Sequence, residues 1–522
     1  MTSNEIIRFP ESLLLGVGSS AYQVEGAWDE EGKAPSIWDA FFHSGENEVL
    51  HEFIPLQNHD TISDDEEPID LLTFFKGFHV FKSTTKLRSQ VSEPSMYSMD
   101  DGGMIACDSY HKTEMDIQLL KDLGVQIYRF SLSWPRLLPD GDDQNPNQAG
   151  IEYYNNLLQK LLDNNIQPLI TIYHWDLPQS LQKIGGWANS NIVRYFTNYC
   201  EFVFKTFGDK VKLWSTINEP RLIAEGYGGS STAPALGENF SGIADYMVIH
   251  NLLLAHGYAY RLYNENFRET QQGQISLCLD TLWFFPADPN DEEHKKAADL
   301  AFQSFVGIFV QPLLTGEYPK IVVESIKATN KLENKNLTRI IQFTDQEKKI
   351  LIGAYDFVAF NYYFSLYAKP NLTFKEEDNL KTKDLKVQLL GFKGDHKPED
   401  TNAGFRNLVD WFDEVLNHPK IFVCENGFAE DEGVDKSLEK KRYHYDILRE
   451  VDQALKRNIN IIGYCVWSFM DSLEWASGYK SKFGIYGVDF NDPSRPRYKK
   501  ENNFAFFQNL FKTKTLPPPE IE

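Results

Sequence analysis

Residues 214–220 read WSTINEP and residues 421–428 read IFVCENGF. Each is an apolar run that ends in a glutamate beside an amide: Asn218 and Glu219 in the first, Glu425 and Asn426 in the second. A strand that only fills a core has no use for such a tip. Two carboxyls at one place could cleave a glycosidic bond, one protonated to help the leaving oxygen depart, the other ionised to attack the anomeric carbon. A separation of about 5–5.5 Å would retain the anomeric configuration, and one of about 6.5–9.5 Å would invert it. Like charges that close also raise one of the two pKa values, which keeps an acid protonated near neutral pH. Each motif alone also reads as punctuation, because proline restricts the residue before it and Asn-Gly marks a turn. It is the occurrence of both at strand ends that points to chemistry.

The elements that must position the pair are legible as eight strand-like runs: 13–23, 127–134, 168–175, 211–219, 274–285, 355–364, 420–427 and 460–469. Segments of helical period lie between most of them, such as 153–165 and 193–208. Strand alternating with helix eight times predicts an α/β fold, a single parallel (β/α)8 TIM barrel with extended loops, over 1–522. In that architecture reactive groups sit at the C-terminal strand ends, where Glu219 and Glu425 fall. Residues 45–103 interrupt the pattern with an acidic run, SDDEEPID, and no periodicity. An insertion after the first strand is expected there. It reads first as a disordered surface loop or translated noncoding sequence, and second as a lid over the barrel mouth.

The chain has 522 residues and a formal net charge of −23, which leaves no basic stripe for nucleic acid. No stretch approaches about 20 apolar residues, so no membrane span is expected. The five cysteines are scattered, without a Cys-x-x-Cys pair, and read as buried free thiols. MTSNEIIRFPESLL lacks the basic segment and apolar stretch of a signal peptide, which gives a cytoplasmic expectation; an incomplete N-terminus would make the protein a secreted one. His250 and His256 are six apart, on different helix faces, and read as structural. No metal and no cofactor is expected, and Lys33 and Lys112 are expected to be solvated.

Outside 45–103 the chain resembles glycoside hydrolase family 1, the β-glucosidase family. The resemblance is carried, in family order, by SSAYQVEGAWDEEGKAPSIWD (19–39), ACDSYHK (106–112), YRFSLSWPRLLPDG (128–141), YHWDLPQSLQKIGGW (173–187), TINEP (216–220), CENGF (424–428) and WSFMDSLEWASGY (467–479). It implies that Glu219 is the acid/base and Glu425 the nucleophile. Asn218 is implied to hold the sugar 2-hydroxyl, and Arg129 and Tyr363 to hold Glu425 ionised and oriented. Gln23, His174, Glu474 and Trp475 match positions that bind sugar hydroxyls, Trp467 the floor under the ring, and Phe483 a nearby aromatic. His174 also reads as a satisfied core histidine, and Trp467 as core bulk. Asp471-Ser472 stands where the family usually shows Asp-Asn, and 393–406 lacks the tryptophan that often shapes the aglycone site.

The expectation is therefore a retaining β-glycosidase acting on terminal β-D-glucosides as small-molecule substrates, with a homodimer left open. A carboxylate at Glu474 argues for an unphosphorylated sugar. The nearest alternative is a thioglucosidase (myrosinase) cleaving glucosinolates. Plant enzymes of that type lack the acid/base glutamate, whereas insect ones keep both carboxyls. A non-catalytic glycan-binding protein is the third reading, and the presence of both carboxyls weighs against it.

Overall fold

Runs rich in β-branched and aromatic residues form eight strands: β1 (Leu14–Gly18), β2 (Ile127–Ser131), β3 (Gln167–Tyr173), β4 (Leu213–Asn218), β5 (Gln274–Pro286), β6 (Val358–Pro370), β7 (Ile421–Asn426) and β8 (Ile461–Trp467). Each pairs in parallel with the next, and β8 pairs with β1, so the sheet closes on itself. Closure leaves no edge strand in the ring. The computed structural model describes residues 6–43, 69–70, 102–335, 337–371, 373–375, 377–391, 398–431 and 433–519. The expected insertion over 45–103 lies outside them, apart from 69–70, 102 and 103.

Alternation along the strands sorts side chains to two cores. On β2, Tyr128 and Phe130 face outward into the large cluster shared with the helices, while Ile127 faces inward. With Leu169, Leu213, Cys278, Phe357, Ala359, Phe422, Cys424 and Cys465 it packs a closed layer inside the barrel. That layer is the floor on which the polar groups of the mouth stand. Gly16 permits the tight β1–β2 approach, since a Cβ there would lie 1.8 Å from the Ile127 carbonyl oxygen. All five cysteines are free and buried.

Two strands stop well short of their expected ends, for local reasons. The 13–23 run leaves the barrel after Gly18, and Ala21–Val24 forms a helical turn in which the Ser20 hydroxyl donates to Gln23 Oε1 at 2.6 Å. The 127–134 run ends at Ser131, and Pro135 opens the turn Trp134–Leu137, where its missing N–H costs nothing. At the foot of the barrel Ile7–Arg8 pairs antiparallel with Thr515–Leu516.

Glu292–Thr315 is the one described helical run long and apolar enough to cross a membrane by length and composition, a length the sequence reading did not register. Two-thirds of its apolar window, 67%, is buried inside the protein, as in a core helix packed on β5 and β6. A π-helical turn, Gln303–Gly307, interrupts it ahead of Pro312. Lys33 departs from the expectation of a solvated lysine: it is buried and paired with Asp39 at 3.1 Å. Lys112 is partly buried and paired with Asp108.

Candidate active site

Irregular register aims the two glutamates. The β4–β5 pairing slips between Ser215 and Asn218, and β7 slips against both its neighbours just after Val423. Adjacent strand residues ordinarily face opposite ways, yet Cys424 lies in the interior layer and Glu425 also reaches inward. A bulge supplies that re-aiming. Glu219 follows β4 in the left-handed region, φ 50°, with its N–H donating to the Cys278 carbonyl at 2.8 Å. Pro220 disfavours right-handed helical geometry for Glu219 and starts the helix Pro220–Tyr227 behind it. A non-glycine residue held at positive φ costs of order 1–3 kcal/mol, which a strand tip with only a packing role would shed.

The two carboxyls are joined by one buried network. Arg129 Nη1 donates to Glu425 Oε1 at 2.5 Å and Nη2 to Asn218 Oδ1 at 2.6 Å. The Tyr363 hydroxyl donates to Glu425 Oε2 at 2.7 Å, so both Glu425 oxygens are held. From Asn218 the network passes to Asn361, whose Nδ2 donates to Asn218 Oδ1 at 3.1 Å and to Glu219 Oε1 at 2.8 Å. Arg129, Asn218, Glu219, Asn361 and Glu425 are all buried.

Charge and burial separate the roles of the pair. Burial first, then the Glu425 charge and that of Asp280, push the Glu219 carboxyl well above the usual range, while the Asn361 donor works against them. Burial opposes the Arg129 charge, but Glu425 beside it holds the guanidinium firmly protonated. The Tyr363 phenol is raised by burial and by Glu425, so it stays a donor. Such a site can offer a proton from one carboxyl and an oriented anion from the other.

The residues matched to sugar binding line the same mouth. Gln23 Nε2 donates to the Leu473 carbonyl at 2.7 Å and to Glu474 Oε2 at 3.3 Å. Burial, then Glu425, raise the Glu474 carboxyl to about 8. His174 Nε2 shares a hydrogen bond with Asn218 Nδ2 at 3.0 Å, and its Nδ1 is buried without a partner among the described residues. Burial and the nearby Arg129 keep that imidazole neutral, so it accepts at Nε2 and carries its proton at Nδ1. The His174 ring lies near-parallel to Trp467, at 6.1 Å, and to Trp475, at 5.8 Å. Phe483 meets the Tyr363 ring edge-on at 6.0 Å.

Three participants escaped the sequence reading. Asn361 links Glu219 to the Asn218–Arg129–Glu425 chain, and its only signal was an amide inside the buried run VAFNYYF, two residues before Tyr363. Trp175 donates to the Asn218 carbonyl at 3.0 Å and packs 4.4 Å from Trp475. Cys278 donates to Asn361 Oδ1 at 3.1 Å from the interior layer. His256 is structural, bonded to Thr216 and to the Ala354 carbonyl. Among the described residues no cluster of three or more metal-ligating side chains occurs. A separate groove of about 960 Å³, bordered by Glu430, Lys482, Phe490 and Tyr498, touches no member of the carboxyl network.

The family model described as glycosyl hydrolase family 1 matches residues 5–57 and 89–516, leaving 58–88 unmatched within the expected insertion. Myrosinase 1 of Brevicoryne brassicae is 34% identical over 517 residues, covering 97% of this chain and 99% of that protein. Human cytosolic beta-glucosidase is 34% identical over 501 residues, 94% of this chain and 95% of its own length. Human lactase/phlorizin hydrolase is 36% identical over 520 residues, and the chain spans only 24% of that longer protein. Among solved structures, aphid myrosinase superposes with a TM-score of 0.82 at 34% identity, covering 97% of this chain and 99% of its own. A rice beta-glucosidase gives 0.78 at 32% identity, with 96% and 98% covered. Motifs, barrel and matches agree: the chain belongs to glycosyl hydrolase family 1 and is a glycoside hydrolase.

Proposed function

We propose that the protein hydrolyses terminal β-D-glucosides, joined through oxygen, with retention of configuration. The observation that carries this reading is the division of labour in one network: Glu425 anchored on both oxygens by Arg129 and Tyr363, and Glu219 pushed toward its protonated form. Glu425 attacks the anomeric carbon, and the glycosidic C–O bond breaks as the Glu219 proton passes to the departing oxygen. The product is a glycosyl ester on Glu425. Glu219, now a carboxylate, takes a proton from water, whose oxygen attacks the anomeric carbon and releases Glu425. The Asn218 amide lies against both Arg129 and His174, placed for a sugar hydroxyl whose contact strengthens as positive charge develops on the ring.

A thioglucosidase is the second reading, favoured by the likeness to the aphid enzyme. Insect enzymes of that type keep both carboxyls, so retention of Glu219 does not separate the readings; its raised pKa supplies the proton that an oxygen leaving group needs and a thiolate-type one does not. A cytoplasmic setting belongs to the same proposal and is supported by five buried thiols left unpaired. Initial rates on a nitrophenyl β-D-glucoside and on a glucosinolate, with Glu425→Gln as control, test the reading. Glucoside turnover lost in the variant supports it; turnover of the glucosinolate alone replaces it with the thioglucosidase.

A further inference from the structure

The matched glycone contacts come from β1, β3 and β8 and the tips that follow them, through Gln23, His174, Trp467 and Glu474. The leaving group is thereby directed to the other side of Glu219, over β4, β5 and the helix after β5. Three charges stand there. Arg221, in the first turn of Pro220–Tyr227, donates from Nε to Asp280 Oδ2 at 2.5 Å and from Nη1 to Glu225 one turn on. Asp280 lies two residues beyond Cys278, whose carbonyl takes the Glu219 N–H, and in register with Asn361, whose amide holds the Glu219 carboxyl. The trio therefore borders the acid on the side away from Asn218 and His174.

Behind the trio is an aromatic face. The Arg221 guanidinium lies 4.6 Å over the Phe305 ring, and Phe305 belongs to the π-helical turn Gln303–Gly307. Such turns displace a helix's side chains from their usual positions and recur at functional sites. Phe284 backs the Phe305 ring at 5.0 Å, and Trp283 beside it packs 5.1 Å from Phe302, one helical turn from Phe305. Arg221, Glu225, Phe305 and Trp283 are partly exposed, and the Glu225 side chain is 40% exposed.

Two carboxylates against one guanidinium leave the trio one unit negative. A guanidinium recognises sulfate or carboxylate best through a free fork of parallel donors, and this one has turned Nε and Nη1 onto its own neighbours. We infer that the Arg221–Asp280–Glu225 trio selects leaving groups by charge, accepting neutral or cationic aglycones with an aromatic or apolar face and rejecting anionic ones such as the sulfated aglycone of a glucosinolate. The inference rests on the glucosidase reading above and narrows it to a substrate class.

The test uses the full chain and three aryl β-D-glucosides of matched leaving-group pKa: neutral, sulfonated and trimethylammonium-substituted. The sulfonated substrate is expected to show kcat/KM about tenfold or more below the neutral one, with a gap that narrows as salt is raised, as a like-charge barrier requires. Glu225→Lys, at a side chain 40% exposed, is expected to narrow the gap to about threefold or less by reversing the charge beside the leaving group. Equal kcat/KM for the neutral and sulfonated glucosides, or a gap unmoved by E225K, overturns the inference and leaves the glucosidase reading standing. Turnover of a glucosinolate with none of the neutral glucoside overturns both.

Discussion

Cys278 and Asn361 are joined by a thiol–amide hydrogen bond, 3.1 Å from Sγ to Oδ1, which orients the amide in concert with its own Nδ2 bonds. With Oδ1 turned to the thiol, Nδ2 faces Glu219 and Asn218. Nδ2 occupies Glu219 Oε1, which leaves Oε2 as the oxygen able to carry the proton under the proposed acid role. The orientation of the acid is thus fixed two side chains away, in the apolar floor of the barrel.

Replacing that thiol tests the arrangement. Cys278→Ala is expected to lower kcat/KM on an alkyl β-glucoside by about tenfold, a fraction of the full value of general acid catalysis. An activated aryl glucoside, which needs less proton assistance, is expected to lose less. Cys278→Ser, whose hydroxyl donates along the same line, is expected to recover most of the loss. Equal losses on both substrates without recovery by serine would assign Cys278 to packing alone.

For Glu219→Gln the loss is expected to follow the leaving group. General acid help is worth ~10²–10⁴, so alkyl glucosides should fall by about that factor. Glycosylation by a dinitrophenyl glucoside should change little, and added azide should rescue the second step by attacking in place of activated water. Uniform losses across leaving groups would remove Glu219 as the acid.

The pH dependence follows from the raised Glu219 carboxyl. Activity requires the protonated acid, so kcat/KM should fall as pH rises through the Glu219 pKa, which sets the alkaline limb. Asp280 contributes to that elevation, so Asp280→Asn should move the limb to lower pH. The same elevation carries a stability cost. A carboxyl whose folded pKa lies above its unfolded one stabilises the fold below the unfolded value and loses that contribution as pH rises through the folded value. The Tm of Glu219→Gln should therefore gain on the wild type progressively above about pH 4.5, the ordinary glutamate range. A Tm difference that stays constant with pH would contradict a raised pKa.

Arg129 cannot be exchanged for lysine without loss. Its guanidinium spans Glu425 and Asn218 from two nitrogens, a geometry one ammonium does not reproduce. Arg129→Ala would leave a buried carboxylate unpaired, at a cost of about 3–5 kcal/mol in urea unfolding. Arg129→Lys should fold and yet lose at least about tenfold in kcat, as Glu425 loses part of its anchoring. Wild-type kcat in the lysine variant would show the fork to be dispensable.

The barrel was legible because its strands are short apolar runs set between helical periods, and all eight runs overlap observed strands. Glu219 and Glu425 were legible because a carboxylate at the tip of such a run contradicts its surroundings. Asn361 was not, since one amide in a buried strand has no spacing partner and gains its role only from the neighbours that closure brings to it. The Arg221–Asp280–Glu225 trio was invisible for the same reason: Asp280 comes from a different strand, 59 positions from Arg221. Lys33 misled because a lysine amid polar sequence gives no sign of the buried Asp39 that receives it.

The antiparallel pair Ile7–Arg8 with Thr515–Leu516 joins the first and last strands at the foot of the barrel, opposite the catalytic mouth. Phe9 and Lys514 extend the join through a backbone hydrogen bond of 2.9 Å, and the Lys514 ammonium reaches the Leu13 carbonyl where β1 begins. A tether, tag or neighbouring domain attached near either strand would project from the pole remote from substrate. Tandem copies could thus be strung together, or the enzyme immobilised on a surface, with every mouth left open to solution.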